Sequence, residues 1–244
     1  MEESASVTRE VLMIKKKFLL NDTIPAVLWG DFSKQLIIAV HGHMSHKEDT
    51  AIAMLAEEST AKGYSVLSFD LPEHGERQNS AEICSIKNVM HDLTKVWEFT
   101  AQRSPKICLF GCSQGAYFSL LTYYDKPIEK ALFLSPVVNM ERIIQKLMQQ
   151  ANIDEADLQR RGTIPLEFAT LYWDYYCYVK NHPITQWPIA TAILHGKEDT
   201  LCARDTMDIF RANFKAKLTV VESEHYFHTS QQLALYRKWL AANL

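Results

Sequence analysis

No apolar run in this 244-residue chain is long enough to cross a bilayer. The longest, such as Leu36 to Val40 and Ala51 to Ala56, stop far short of the about 20 residues that a spanning helix needs. A basic excess is missing too. There are 26 Lys and Arg against 29 Asp and Glu, for a net charge of −3. That removes the electrostatic case for nucleic acid or an anionic membrane as a partner. The single basic cluster, Lys15-Lys16-Lys17, lies in an alternating segment and reads as a solvated strand end. The start of the chain, Met1-Glu2-Glu3-Ser4, is acidic and polar with no apolar stretch behind it, so it is not read as a secretory signal. Cysteines are few and odd in number. Five of them without a framework spacing argue against a disulfide scaffold and for reduced thiols in the cytoplasm. Cys108 and Cys112 read as small packing residues.

What is present is the composition of a globular enzyme: 47% hydrophobic and 23% charged residues, on a chain long enough to bury a sizeable core. Short β-like runs alternate with helical patterns. Strands are expected at Leu36 to Val40, Tyr64 to Phe69, Lys106 to Phe110, Lys130 to Ser135, Thr191 to Leu194 and Lys217 to Val221. Helices are expected at Asp49 to Lys62, closed by Gly63, and at Gln231 to Ala242. Ile86, Val89, Met90, Leu93, Val96 and Trp97 mark one face of a further helix. Repeated βα units with continuous apolar strands imply a mostly parallel sheet covered on both faces. Residues 11–20 and 24–29 add an antiparallel edge hairpin.

Between two of these strands the rhythm breaks. Residues 137–187 carry a helix pattern (Ile143, Ile144, Leu147, Met148, Ala151), a charged stretch from Asp154 to Arg161, and seven aromatics in the 20 residues from Phe168 to Trp187. An insertion of that length is usually functional. It reads as a small helical lid on a core made of residues 1–136 and 188–244. Its aromatics either line a pocket or pack the lid onto the sheet.

The most informative stretch is Gly111-Cys112-Ser113-Gln114-Gly115, a G-x-S-x-G between the apolar run Lys106 to Phe110 and the helical run Ala116 to Leu121. Strand, sharp turn and helix with a serine at the apex push a hydroxyl out of the sheet toward a substrate. A serine needs a base to take its proton. Two later strand ends carry suitable groups: His195-Gly196-Lys197-Glu198-Asp199 and Glu222-Ser223-Glu224-His225. Asp199 is the candidate acid, with Glu198 as its rival, and His225 the candidate base, with His228 as its rival. His195 reads as structural. All sit beyond the C-terminal ends of parallel strands, the edge where such sheets bind ligands. Ser113 would attack a carbonyl, His225 would take its proton, and Asp199 would orient the imidazole. The oxyanion site needs two backbone N–H groups. Gln114 supplies one, and His43, in the turn His41-Gly42-His43, supplies the other.

Four motifs in this order resemble the α/β-hydrolase superfamily of serine hydrolases: His41-Gly42, Asp70-Leu71-Pro72-Glu73-His74-Gly75, the elbow around Ser113, and the late acid and histidine. The chain looks most like small carboxylesterases, acylglycerol-lipase-like and serine-aminopeptidase-like members. The resemblance runs from about residue 24 to the C-terminus and implies the α/β-hydrolase fold, with the lid where the family carries one. The Asp70 to Gly75 turn matches the family's D-x-x-x-H-G loop, which shapes the sheet edge. One departure is that Glu222-Ser223-Glu224 precedes the histidine where many relatives have a glycine.

The expected activity is hydrolysis of small or medium carboxylic esters through an acyl-enzyme, without cofactor or metal, by a monomer or homodimer. Peptidase or thioesterase activity on the same scaffold is one alternative, and a non-catalytic ligand-binding protein is another. His41-Gly42-His43-Met44-Ser45-His46 also has an H-x-H-x-x-H spacing that can bind zinc, but Ser45 stands where a carboxylate is expected.

Overall fold

The computed structural model describes residues 14–244. Residues 11–13 of the first expected strand, and the polar start of the chain, lie outside the described residues. The centre is an eight-stranded sheet in the order β1-β2-β4-β3-β5-β6-β9-β10. Its strands are β1 (Lys15–Leu20), β2 (Ile24–Trp29), β3 (Gln35–Val40), β4 (Ser65–Phe69), β5 (Lys106–Cys112), β6 (Ile128–Leu134), β9 (Thr191–Gly196) and β10 (Ala216–Val221). β2 pairs antiparallel with β1 and β4, and the six strands from β4 to β10 run parallel.

Parallel strands joined by helical crossovers are covered on both sides, so most inner positions are apolar, with Ser65, Ser68, Thr191 and His195 among the buried polar exceptions. In β3, Leu36, Ile38 and Val40 enter one core, and Ile37 and Ala39 enter the other. The second core is closed by α1 (Thr50–Thr60) and α8 (Ser230–Asn243), through Ile52, Leu55, Tyr236 and Trp239. The first is closed by α2 (Ile86–Ala101), α3 (Gln114–Tyr123) and α7 (Arg204–Asn213). Burying the side chains of these two cores is the main source of stability. α1 starts at Asp49, whose side chain accepts from Ala51 N–H, and α8 starts with a Thr229–Gln232 capping box.

The insertion between β6 and β9 is not all helix. It holds α4 (Met140–Gln150), α5 (Glu155–Arg161), an antiparallel hairpin of β7 (Thr163–Pro165) and β8 (Thr170–Tyr172), and α6 (Trp173–Asn181). Its aromatics mostly pack inward. Tyr176 and Trp187 are buried, Trp187 lies 5.8 Å from the Phe133 ring, and Trp173, Tyr175 and Tyr178 pack against the first core. Phe168, at the hairpin tip, is the exception and is 68% exposed. No helix among the described residues is long and apolar enough to cross a membrane.

Strand register levels the sheet edge that matters. Cys112 stands opposite Leu134, which stands opposite Leu194, while Val40 stands opposite Gly111 and Gly196 opposite Val221. Every loop leaving this row emerges on the same rim.

Candidate active site

Ser113 follows β5 with φ 50° and ψ −120°, a conformation that costs a non-glycine residue about 1–3 kcal/mol. Two backbone bonds hold it there: Ser113 N–H donates to Leu134 O (3.0 Å) and Val137 N–H donates to Ser113 O (3.0 Å). The elbow glycines are sterically required. A Cβ at 111 would lie 2.7 Å from Ala116 Cα, and one at 115 would lie 2.3 Å from the His41 carbonyl oxygen. The helix α3 begins at once after the serine, so its N-terminal dipole points at this rim.

The sheet edge brings the three separate loops together. Ser113 Oγ–H donates to His225 Nε2 at 2.9 Å, and His225 Nδ1–H donates to Asp199 Oδ2 at 2.7 Å. The other carboxylate oxygen, Oδ1, accepts from Leu201 N–H (2.9 Å) and Cys202 N–H (2.8 Å). Asp199 is buried and His225 partly so. The rivals are elsewhere. Glu198 is exposed, and the exposed His228 ring stacks on Tyr226 with centroids 5.4 Å apart. His195 is buried beneath the acid, its Nδ1 3.6 Å from Asp199 Oδ2, and burial holds its pKa below the ordinary value.

Two groups here were not singled out from sequence. Gly196 takes the part of the missing glycine before the histidine. A Cβ there would lie 2.3 Å from Glu224 O and 2.4 Å from Ser223 O, so only glycine lets the His225 loop descend onto β9. Its dipeptide His195-Gly196 mirrors His41-Gly42 at another strand end, which was the available signal. The amides of Leu201 and Cys202 form an Asx-type turn leading into α7, a helix whose Met207 and Phe210 spacing is its faint mark in the sequence.

The turn after β3 lies against Ser113: a Cβ on Gly42 would stand 3.2 Å from Ser113 Cβ. Among the described residues, His43 N–H has no backbone or side-chain acceptor, and Gln114 N–H, the first of α3, has no acceptor within its helix. His41 anchors the turn. Leu71 N–H donates to its Nε2 (3.0 Å) and its Nδ1–H donates to Gly42 O (2.8 Å). Burial pushes its pKa down to about 4. With both ring nitrogens engaged, His41 is not free to serve as a zinc ligand. The D-x-x-x-H-G loop locks the same turn from below. Buried Asp70 accepts from Lys47 Nζ (2.5 Å), Lys47 N–H (2.9 Å) and Glu76 N–H (3.0 Å). Burial pulls the Lys47 ammonium down, and the Asp70 and Glu76 carboxylates more than offset it, leaving its pKa raised.

Asp199, Cys202 and His225 present ligand atoms within 4.8 Å of one another, but both Asp199 oxygens are already hydrogen-bonded and burial pushes the Cys202 thiol well up. These residues fit a proton relay better than a metal site. Cys112, beside the serine, is raised to about 12 by burial and is no rival nucleophile.

The rim carries exposed apolar groups, Met44, Phe168 and Tyr226, and the His43 Nε2–H bond to Phe168 O (3.0 Å) ties it to the insertion. A cleft of about 400 Å³ lies between α4 and the loop at 201–203; Val137, Ile143, Leu201 and Cys202 are among its walls, and none of the seven insertion aromatics lines it.

Residues 32–154 match the family model described as serine aminopeptidase, S33, a hydrolase family. The chain belongs to this family. The match spans the turn at His41, the elbow and the start of the insertion, and the fold is the α/β-hydrolase fold. Among solved structures, this hydrolase resembles a putative hydrolase from Agrobacterium vitis (TM-score 0.73, 15% identity, covering 94% of this chain and 98% of that one). It also resembles alpha/beta hydrolase domain-containing protein 10 from mouse (TM-score 0.75, 13% identity, 94% and 98% covered). A third is Est1E from Butyrivibrio proteoclasticus, solved with ferulic acid bound (TM-score 0.71, 18% identity, 93% and 97% covered). A search of curated proteins finds no match.

Proposed function

We propose that this chain is a serine hydrolase that cleaves carboxylic esters of small or medium acyl groups through an acyl-enzyme. The carrying observation is the unbroken Ser113–His225–Asp199 relay, at 2.9 and 2.7 Å, on a strained elbow. In this reading Ser113 Oγ attacks the ester carbonyl carbon as its proton passes to His225 Nε2. Asp199 keeps the imidazole oriented and stabilises the imidazolium. The N–H groups of His43 and Gln114 receive the oxyanion, each worth about 3 kcal/mol of transition-state stabilisation. The imidazolium then protonates the leaving alkoxide, and water attacks the acyl-enzyme with His225 as base. The net reaction is ester plus water to acid plus alcohol, with no cofactor or metal.

The family description raises a peptidase reading, and the scaffold also suits thioesters. An aminopeptidase needs a carboxylate to hold the substrate ammonium, whereas the cleft beside the acid is lined by Arg142 and Lys146 and by no Asp or Glu. With Arg142 paired to Asp205, it is the Lys146 charge that favours esters over free amino termini in this cleft. The intact relay speaks against a purely binding role. Five free thiols support a reducing, cytoplasmic setting.

Turnover of p-nitrophenyl butyrate tests the proposal. Ser113→Ala should lower kcat by roughly 10⁴ to 10⁶, and undiminished turnover in that variant rules the mechanism out. A panel of esters, thioesters and aminoacyl amides separates the three substrate classes.

A further inference from the structure

The charge of the cleft beside Asp199 goes beyond what ester hydrolysis alone requires. The α4 side of the cleft carries Arg142, Ile143 and Lys146, and the side across from it is apolar, from Val137 and Leu201. Arg142 is neutralised at the rim by Asp205, at 2.7 Å. Lys146 is half-buried and donates to the Thr200 carbonyl, in the loop that follows the acid, and among the described residues it has no carboxylate within ion-pair distance. A cation held in a concave, partly apolar site is left without its counter-charge. Two of the cleft's wall residues border the relay, which itself lies outside the lining: Val137 N–H bonds to Ser113 O at 3.0 Å, and Cys202 Sγ lies within 4.8 Å of ligand atoms of Asp199 and His225. Asp199 does not supply the missing counter-charge, because both its carboxylate oxygens are engaged by His225 and two amides.

We propose that this cleft selects substrates carrying a carboxylate a few bonds from the scissile carbonyl, with Lys146 as the specificity-determining cation. The inference rests on the ester-hydrolase reading. The apolar wall accommodates the methylene or ring spacer and Lys146 receives the carboxylate. A charge-assisted hydrogen bond of this kind is worth about a tenfold or greater preference.

The test compares three esters in wild type, Lys146→Gln and Lys146→Glu. They are p-nitrophenyl butyrate (neutral), mono-p-nitrophenyl glutarate (carboxylate on the acyl side) and 4-carboxyphenyl butyrate (carboxylate on the leaving side). For one of the two anionic esters, kcat/KM relative to the neutral ester should fall about tenfold in Lys146→Gln and further in Lys146→Glu. The affected ester tells which side of the substrate lies in the cleft. Free glutarate should also compete with p-nitrophenyl butyrate in the wild type, and Lys146→Arg should keep most of the preference. Turnover of all three esters with ratios unchanged across the variants, and no competition by glutarate, overturns the inference and leaves the hydrolase reading standing. No turnover of any ester overturns the hydrolase reading and the inference with it.

Discussion

Asp199→Asn separates the tautomer and charge of the relay from its shape. In the native site Oδ1 accepts two backbone N–H groups, from Leu201 and Cys202, and Oδ2 accepts His225 Nδ1–H. An asparagine is isosteric, and its one carbonyl oxygen must stay with the two amides, which can only donate. Its NH₂ group then faces His225 Nδ1. The imidazole responds by carrying its proton on Nε2, 2.9 Å from Ser113 Oγ, and no lone pair remains to receive the serine proton. The variant also loses the negative charge that stabilises the imidazolium. Unit charges about 4 Å apart interact by about 4 kcal/mol at an effective dielectric near 20, which alone is about 10³-fold in rate. With the wrong tautomer added, the loss should reach about 10⁴-fold in kcat. The assay is steady-state hydrolysis of p-nitrophenyl butyrate, with melting temperature measured on the same preparation to show that the fold is kept. Glu198→Gln, on the exposed neighbour, should leave kcat within a factor of about two. If Asp199→Asn retains more than a tenth of wild-type kcat, the assignment of the acid is wrong.

Further outcomes follow from the same geometry. Gly196→Ala should cut kcat by about 10², because its Cβ meets the Glu224 and Ser223 carbonyl oxygens at 2.3 and 2.4 Å and must shift the His225 loop by roughly 1 Å; wild-type kcat in this variant contradicts the packing argument. Lys47→Met should cost about 3–5 kcal/mol, since it strands the buried Asp70 carboxylate; that is roughly 10 °C of melting temperature for a chain this size, and a shift under 2 °C speaks against the ion pair. His41 is held neutral, its pKa lowered from 6.5 to about 4 by burial. The unfolded chain therefore binds more protons than the native one between those values. The stabilisation is full above pH 6.5 and is lost as pH falls toward 4, by about 3 kcal/mol. Melting temperatures between pH 7.5 and 4.5 should thus fall less steeply in His41→Gln than in the wild type, and parallel curves refute the assignment.

Much of this was legible in the sequence, for identifiable reasons. Buried parallel strands are apolar along most of their length, so β3, β5, β6 and β9 stood out as runs, and the elbow glycines were fixed by close approach, Gly111 to Ala116 and Gly115 to the His41 carbonyl. Because loops at one end of a parallel sheet share a rim, Ser113, Asp199 and His225 could be grouped although 112 positions separate the first from the last. Other features depend on contacts that local pattern does not carry. Lys47 sits between His46 and Glu48 and looks solvent-exposed, yet its partner Asp70, 23 residues on, draws it inside. α7 mixes Met207 and Phe210 with Arg204, Asp205, Asp208 and Arg211, which blurs its apolar face. The β7–β8 hairpin has strands of only three residues, too short for alternation to show. The insertion aromatics were ambiguous between lining a pocket and filling a core, and packing decides for the core at Tyr176 and Trp187.

The central claim is that one hydroxyl, Ser113, becomes covalently acylated. Its most direct test is reaction of the native protein with a fluorophosphonate, followed by peptide mapping. A single stoichiometric adduct on Ser113, formed at least about 10³-fold more slowly in Asp199→Asn, is the expected result. Ester turnover that continues while Ser113 stays unmodified, or an adduct on another residue, contradicts it.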